Sequence, residues 1–357
     1  MIRLLLIIAA SSLVSLAFRK KIHCILPVFV MASALILYIF SLVIPDLTMA
    51  ARLTLCVLIV FSGVLFFIKR KNLSGAEVKQ LLLTPQFFIF LSVALIFAML
   101  YSGRKIFDWD DFSYWGIYAK DLLLLDKLPA GVENCTISYK DYPPIVQLLQ
   151  YFFLKPGSTF TEAGLFQVNI CFLYLLMLPF LDALGKHRSW IARISVPALY
   201  ILFPHLFTTQ FYYKLGVDYL ISVLFGYGLY VIGSEHFRSS RFKMPALAIT
   251  ASFLALIKTS GIVLSLFLIV FFVFCTRRKE GKRASVSICL HAAATGILPL
   301  LFYFSWKYRG RVTGNHGYLS DIVDSNIKSL KLDFPPYTKS VVLNYIKHFF
   351  THPLTRD

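Results

Sequence analysis

Acidic residues are scarce in this chain of 357 residues, where 18 Asp and Glu stand against 36 Lys and Arg and leave a net charge of +18. Such an excess suggests nucleic acid when it covers one face of a soluble domain. Here the basic residues fall in short clusters between apolar runs, so they read as topology signals and no nucleic-acid partner is expected. Phosphate loops are missing as well. Neither Gly-x-x-x-x-Gly-Lys nor Gly-x-Gly-x-x-Gly occurs, which argues against a nucleotide motor or a cytoplasmic nucleotide-sugar enzyme. His-Glu-x-x-His is absent, and the six cysteines form no zinc-binding pairs. Cys24, Cys56, Cys171, Cys275 and Cys289 lie in apolar runs, where cysteine behaves as a small hydrophobe. Only Cys135 lies in a polar stretch, so neither a disulfide framework nor a zinc site is expected. No internal repeat or low-complexity tract is visible.

Apolar residues are what the chain has in abundance. They make up 58% of it, with mean hydropathy +0.71, against about 45–50% in soluble domains. A helix spanning a bilayer needs about 20 predominantly apolar residues, with a range of about 17–25. Runs that qualify, some slightly short, are 22–45, 53–68, 81–103, 163–181, 194–213, 217–234, 259–276 and 284–306. Shorter candidates are 4–18 and 244–257. The first lacks a small-residue cleavage site before Arg19-Lys20-Lys21 and is read as a membrane segment, not a secretory signal. The expected fold is an all-α polytopic membrane protein of about ten transmembrane helices.

Lysine and arginine gather on the cytoplasmic side of a membrane. The clusters are Arg19 to Lys21, Lys69 to Lys71, Lys186 to Arg188, Arg238 to Lys243 and Arg277 to Arg283, and about ten spans bring all five to one side. The chain then divides into N-terminal spans 1–103, an extracytoplasmic loop 104–160, a helix bundle 161–306 and an extracytoplasmic tail 307–357. In the tail an apolar pattern resumes at Val341, so further helices are expected to follow in a longer relative. The N-terminus is also placed outside. Localisation in the cell membrane, with multiple passes, follows.

The loop 104–160 collects acid, with Asp108, Asp110, Asp111, Asp121, Asp126, Glu133 and Asp141 among its residues. Two interfacial helices are expected in it. In the first, Phe112, Trp115, Ala119, Leu122 and Leu123 share a helical face opposite Ser113, Lys120 and Asp121. The second runs over 144–154 and opens on proline. Acids in outer loops are ordinarily a solvated surface, which is the reading for Asp121, Asp126 and Glu133. Asp110 and Asp111 differ, because Trp109, Phe112, Tyr114 and Trp115 flank them. Aromatic walls raise a carboxylate's pKa and suit it to act as a general base. Interface belts also use Trp and Tyr, and the residues alone leave both readings open.

Asp110-Asp111, then an interfacial helix, then Tyr142-Pro143-Pro144-Ile145 resembles the first outer loop of the membrane-embedded glycosyltransferases of the C superfamily. The likeness, over residues 85 to 306, is to the protein O-mannosyltransferase and aminoarabinose transferase branch, in which an Asp-Glu pair precedes a Pro-Pro-Leu-like motif. Asp110 matches the catalytic aspartate, and Asp111 stands where glutamate is usual. The resemblance implies transfer of a sugar from a polyprenyl-phosphate carrier to a glycan, lipid or protein acceptor, with inversion and with Asp110 as base. It includes members with and without a divalent cation, so the metal is open.

An isoprenoid phosphate needs lipid for its tail and positive charge for its head. Outer cations are Arg104, Lys105, Lys214, Lys258, Arg309 and Arg311. Lys258, between two short spans, either contacts phosphate or snorkels, and the same pair of readings holds for Arg309. Asp218 begins a helix, where it complements the dipole or binds sugar or metal, and His205 is a further candidate for lining the cavity. The candidate substrate contacts are therefore Trp109, Trp115, Tyr142, Pro143, Pro144, Asp218, Lys258 and Arg309. The alternative function is a transporter or flippase of lipid-linked glycans, which would place charges near mid-membrane.

Overall fold

The computed structural model describes residues 2–69, 73–129, 142–157, 160–184, 195, 197–202, 214–237, 240–280 and 285–313. Cys135, Glu133, Asp141, His205, the cluster 186–188, most of the run 194–213 and the tail from 314 lie outside them.

Every regular element among the described residues is helical. In chain order these are α1 (Ile2–Phe18), α2 (Ile22–Val43), α3 (Leu47–Lys69), α4 (Gly75–Leu82), α5 (Pro85–Leu100), α6 (Gly116–Leu125), α7 (Ile145–Leu154), α8 (Glu162–Leu184), α9 (Asp218–Gly233), α10 (Ser240–Ala255), α11 (Gly261–Glu280) and α12 (Ser285–Val312). A π-helical turn, Asp111–Trp115, leads into α6. Ile22–Val43, Leu47–Lys69 and Glu162–Pro179 are long and apolar enough to cross a membrane. The bent pair α4 and α5 makes a fourth if counted as one span. Shorter apolar helices, α1, α9, α10 and α11 among them, complete the bundle.

The expected run 81–103 is broken. Thr84 accepts a hydrogen bond from the Phe87 N–H at 3.3 Å, and Pro85 opens α5. Proline at the first helical position sacrifices no intrahelical bond there and stops the preceding helix. Ser74 and Glu77 cap α4 reciprocally, and α4 meets α5 at 43°. The buried His23 Nδ1 lies 3.0 Å from Thr84 Oγ1, fixing this break against the start of α2.

α2 packs against α1, α3, α7, α8 and α10 and, like α8, is largely enclosed, whereas α3 is mostly exposed. Around it the bundle has two chemically different ends. At one, Lys20 Nζ donates to the His236 carbonyl at 2.7 Å, Arg19 lies 4.0 Å from Glu77, and Lys69 sits 3.7 Å from the Phe18 ring centroid. At the other, Arg3 donates to the Phe152 carbonyl at 2.6 Å and the Leu47 N–H donates to the Asp126 carbonyl. Thus α1 starts beside the acidic loop. Large apolar side chains such as Phe61, Phe67, Phe267 and Phe274 are exposed on the flanks, the surface that lipid would cover.

The loop helices are packed into the bundle. α6 lies on α7 and α8, and α7 lies on α2 and α8. Both differ from simple amphipathic surface helices. In the π-helical turn the Gly116 N–H donates to the Asp111 carbonyl, five residues back, where an α-helix reaches four. The extra residue rotates the helical face. Trp115, Ala119 and Leu122 point inward as expected, but Phe112 is exposed, and Asp111 and Asp121 are buried. Gly116 is required here, since a Cβ would lie 2.8 Å from the Asp111 carbonyl oxygen and 2.4 Å from Ile106 Cδ1.

Candidate functional site

The carboxylate turn begins at Asp108, and its two adjacent aspartates face different surroundings. Asp110 is exposed, with its N–H donating to Asp108 Oδ1 at 3.1 Å. Trp109 is 80% exposed, so no aromatic wall encloses Asp110 on that side. Asp111 is 0% exposed. Its Oδ2 accepts a hydrogen bond from the Leu215 N–H at 2.8 Å, while its Oδ1 has no hydrogen-bond partner among the described residues. Burial pushes the Asp111 carboxyl up to about 6 from 3.8. The Leu215 hydrogen bond and Lys214 oppose that rise, and Asp108 and Asp110 add to it. The environment anticipated for the pair therefore belongs to its second member.

Residues 214–218 form the opposite wall. Lys214 Nζ lies 2.8 Å from Asp108 Oδ2, and that bond raises the lysine's pKa. Gly216 runs beside the indole, where a Cβ would meet Trp115 Nε1 at 3.8 Å. Behind this wall a polar chain continues inward. Asn169 Nδ2 reaches the Leu215 carbonyl at 3.5 Å, and Gln150 Nε2 donates to Asn169 Oδ1 at 2.8 Å. Glu162, at the start of α8, accepts from the Ile106 N–H at 2.7 Å and pins the approach to the turn.

Aromatic side chains make the floor. Tyr114 and Trp115 meet edge to face at 4.6 Å, and Tyr142 lies 5.0 Å from Tyr114 and 5.9 Å from Trp115. Pro143 and Pro144 are buried below Tyr142, and Pro144 immediately precedes α7. The Tyr-Pro-Pro motif and the Asp-Asp turn are thus in contact through their aromatic neighbours.

The cations separate into three environments. Lys258 Nζ and Asp218 Oδ1 form an ion pair at 2.8 Å, so each supplies the other's counter-charge. Lys258 occupies a tight turn between α10 and α11, where a Cβ on Gly261 would come within 1.9 Å of the Leu254 carbonyl oxygen. Arg309 lies half-buried beyond the apolar run of α12, and its Nε has no hydrogen-bond partner among the described residues. Burial lowers its pKa, with Tyr38 and Tyr118 opposing. Tyr118 is 5.5 Å from Tyr114, which connects Arg309 to the aromatic floor. Arg104 instead stacks over Phe107 at 4.7 Å and Phe166 at 5.5 Å.

Among the described residues, no three His, Cys, Asp or Glu side chains converge to hold a metal ion. In the sequence Leu215, Asn169 and Glu162 do not stand out, and Asp108 is one acid among several. Its one available signal was spacing, because Asp108 and Asp111 are three residues apart and share a helical face. No family model matches the chain, and neither the curated proteins nor the solved structures give a match.

Proposed function

We propose that this chain is a membrane glycosyltransferase that moves a sugar from a polyprenyl-phosphate carrier to an acceptor hydroxyl on the extracytoplasmic face, with Asp110 as general base. The observation that carries this reading is an open carboxylate on a hydrogen-bonded turn, at the acidic end of an apolar helical bundle. Lys214, Lys258 and Arg309 contribute positive charge on the elements gathered there.

The chemistry follows from what each group can do. Asp110 is exposed and accepts the proton as the acceptor O–H bond breaks. The acceptor oxygen attacks the anomeric carbon from the face opposite the carrier. The bond from that carbon to the phosphate oxygen breaks, its electrons leave with the polyprenyl phosphate, and the configuration inverts. Lys258 and Arg309 steady the departing anion, which an arginine fork or a lysine point charge does well. Tyr142, half-buried, offers a ring face to the sugar with the buried Trp115 behind it at 5.9 Å, and the carrier's tail stays in lipid beside the exposed apolar flanks.

In this reading the short apolar helices join the long ones as spans, about ten in all, and the end bearing Arg19, Lys20 and Lys69 faces the cytoplasm. A flippase would place charge along the middle of its helices. α2 carries no Asp, Glu, Lys or Arg, and those of α8, α9 and α11 lie within the end turns, which favours the transferase.

Asp110→Asn tests the base directly. Transfer from a polyprenyl-phosphate sugar, measured on purified protein in detergent, is expected to fall by about 10²–10⁴-fold with folding intact. Unchanged turnover would remove Asp110 from the reaction.

A further inference from the structure

Two acids of one turn grip two consecutive residues of one segment. Asp108 pairs with the Lys214 side chain at 2.8 Å, and Asp111 accepts from the Leu215 backbone N–H at 2.8 Å. Three residues further on, Asp218 pairs with Lys258 at 2.8 Å. The five residues 214–218 therefore link the carboxylate turn to the turn that carries Lys258. We propose that Asp111 is a positioning residue, whose carboxylate clasps the Leu215 backbone and so sets the separation between Asp110 and the cation at Lys258. The functional part of this inference rests on the transferase reading above; the clasp itself does not.

Three observations support a positioning role over direct contact with substrate. Asp111 is 0% exposed, so a substrate cannot touch it without displacing its surroundings. Its hydrogen bond with Leu215 reaches across the chain to a backbone donor, and backbone contacts fix position independently of neighbouring side chains. Among the described residues its second oxygen is buried without a partner, a costly arrangement that a purely structural residue would not need. The segment is held as well by the Lys214–Asp108 pair, by the Tyr219 hydroxyl donating to the Lys214 carbonyl at 3.1 Å and by the buried Leu215 and Val217, so the clasp adds a backbone hold to side-chain ones. Asn169 holds the Leu215 carbonyl from behind at the long distance of 3.5 Å.

Hydrogen exchange of the Leu215 amide, read by mass spectrometry on the full-length protein in detergent, tests the clasp. In Asp111→Ala this amide should exchange about tenfold faster or more, the scale of losing a hydrogen bond to a charged acceptor. In Asp111→Asn, whose neutral oxygen still accepts, the acceleration should be about two- to tenfold. Exchange in α2 and α8 should not change in either variant. Leu215 exchange equal to wild type in Asp111→Asn would overturn the proposal, and that variant decides the matter if Asp111→Ala does not fold. Kinetics then separate the two readings. Asp111→Asn should raise KM for the donor about tenfold with a smaller change in kcat, whereas Asp110→Asn removes kcat. If Asp110→Asn stays active while Leu215 exchange rises as expected, the clasp stands and the base assignment falls.

Discussion

Asp111 and Asp126 belong to the same loop, yet their surroundings are built to opposite ends. Asp126 ends α6 in the left-handed conformation, with φ 56. It accepts from the Tyr151 hydroxyl and pairs with Lys155 at 3.0 Å, while Thr48 lies 3.1 Å from the same Tyr151 hydroxyl. Burial alone would raise its pKa, but the hydrogen bonds from Tyr151, Thr48 and Lys155 outweigh it and hold the carboxyl below its usual range. Its carbonyl also receives the Leu47 N–H. Asp111 is more deeply buried and, among the described residues, has one side-chain hydrogen bond and an unpaired oxygen. One carboxylate stabilises the ionised state and staples α3, α6 and α7 together. The other is held at a cost. Where a fold tolerates such a cost, the group is a candidate for function rather than for stability.

The comparison breaks most readily at Asp126. Asp126→Ala strands Tyr151 and Lys155 and removes a partly buried charged acceptor. It should destabilise the folded protein by about 3 kcal/mol, read as a fall in melting temperature in detergent. Transfer per folded molecule should be unchanged, because the cluster touches neither Asp110 nor the cations. A variant that melts like wild type would show that the staple contributes nothing.

The next test sharpens the contrast through pH. Asp111 binds its proton more tightly when folded, at about 6, than its ordinary value of 3.8. Protonated Asp111 is therefore favoured by folding, and its contribution is fully present below about pH 4 and is lost as pH rises through about 6. At one pKa unit per 1.36 kcal/mol the loss is on the order of 2–3 kcal/mol. Asp126 has the opposite sign, so stability from it is present at neutral pH and is lost as pH falls below its ordinary range. Melting temperatures of wild type and Asp111→Asn between pH 4 and 7 should diverge, with the wild type losing ground as pH rises. Parallel curves would contradict the buried, ionisable Asp111.

How much of this could be read from the residues depends on what each feature rests on. Helical, apolar character was legible because it is carried by local runs, and α2 over Ile22–Val43 nearly coincides with the run 22–45. The break at Thr84-Pro85 was also written locally, in a capping residue followed by proline; hydropathy averaged over 81–103 hid it. The π-helical turn was not legible. Nothing in Asp-Phe-Ser-Tyr-Trp demands a bond five residues back, and the close fit of Gly116 against Ile106 and the Asp111 carbonyl exists only once the chain is packed. That one extra residue exchanged the expected positions of Phe112 and Asp121. Tertiary pairs were hidden for the same reason. The sequence marked Asp218 and Lys258 as separate candidates, and forty residues of chain between them gave no sign that they meet.

That pair supplies the finest test. Lys258 reads from sequence as either a phosphate contact or a snorkelling end, and the structure gives it a carboxylate partner that is itself largely exposed. Exposed ion pairs contribute below about 1 kcal/mol, so Lys258→Ala should leave the melting temperature almost unmoved. If the lysine serves the leaving phosphate, it exchanges Asp218 for the donor when the carrier binds. Lys258→Ala should then raise KM for the polyprenyl-phosphate donor by about tenfold while KM for the acceptor stays constant, and Asp218→Asn should lower the donor KM by freeing the charge. Equal effects on both substrates, or none, would return Lys258 to the role of holding the end of α9 against the turn between α10 and α11.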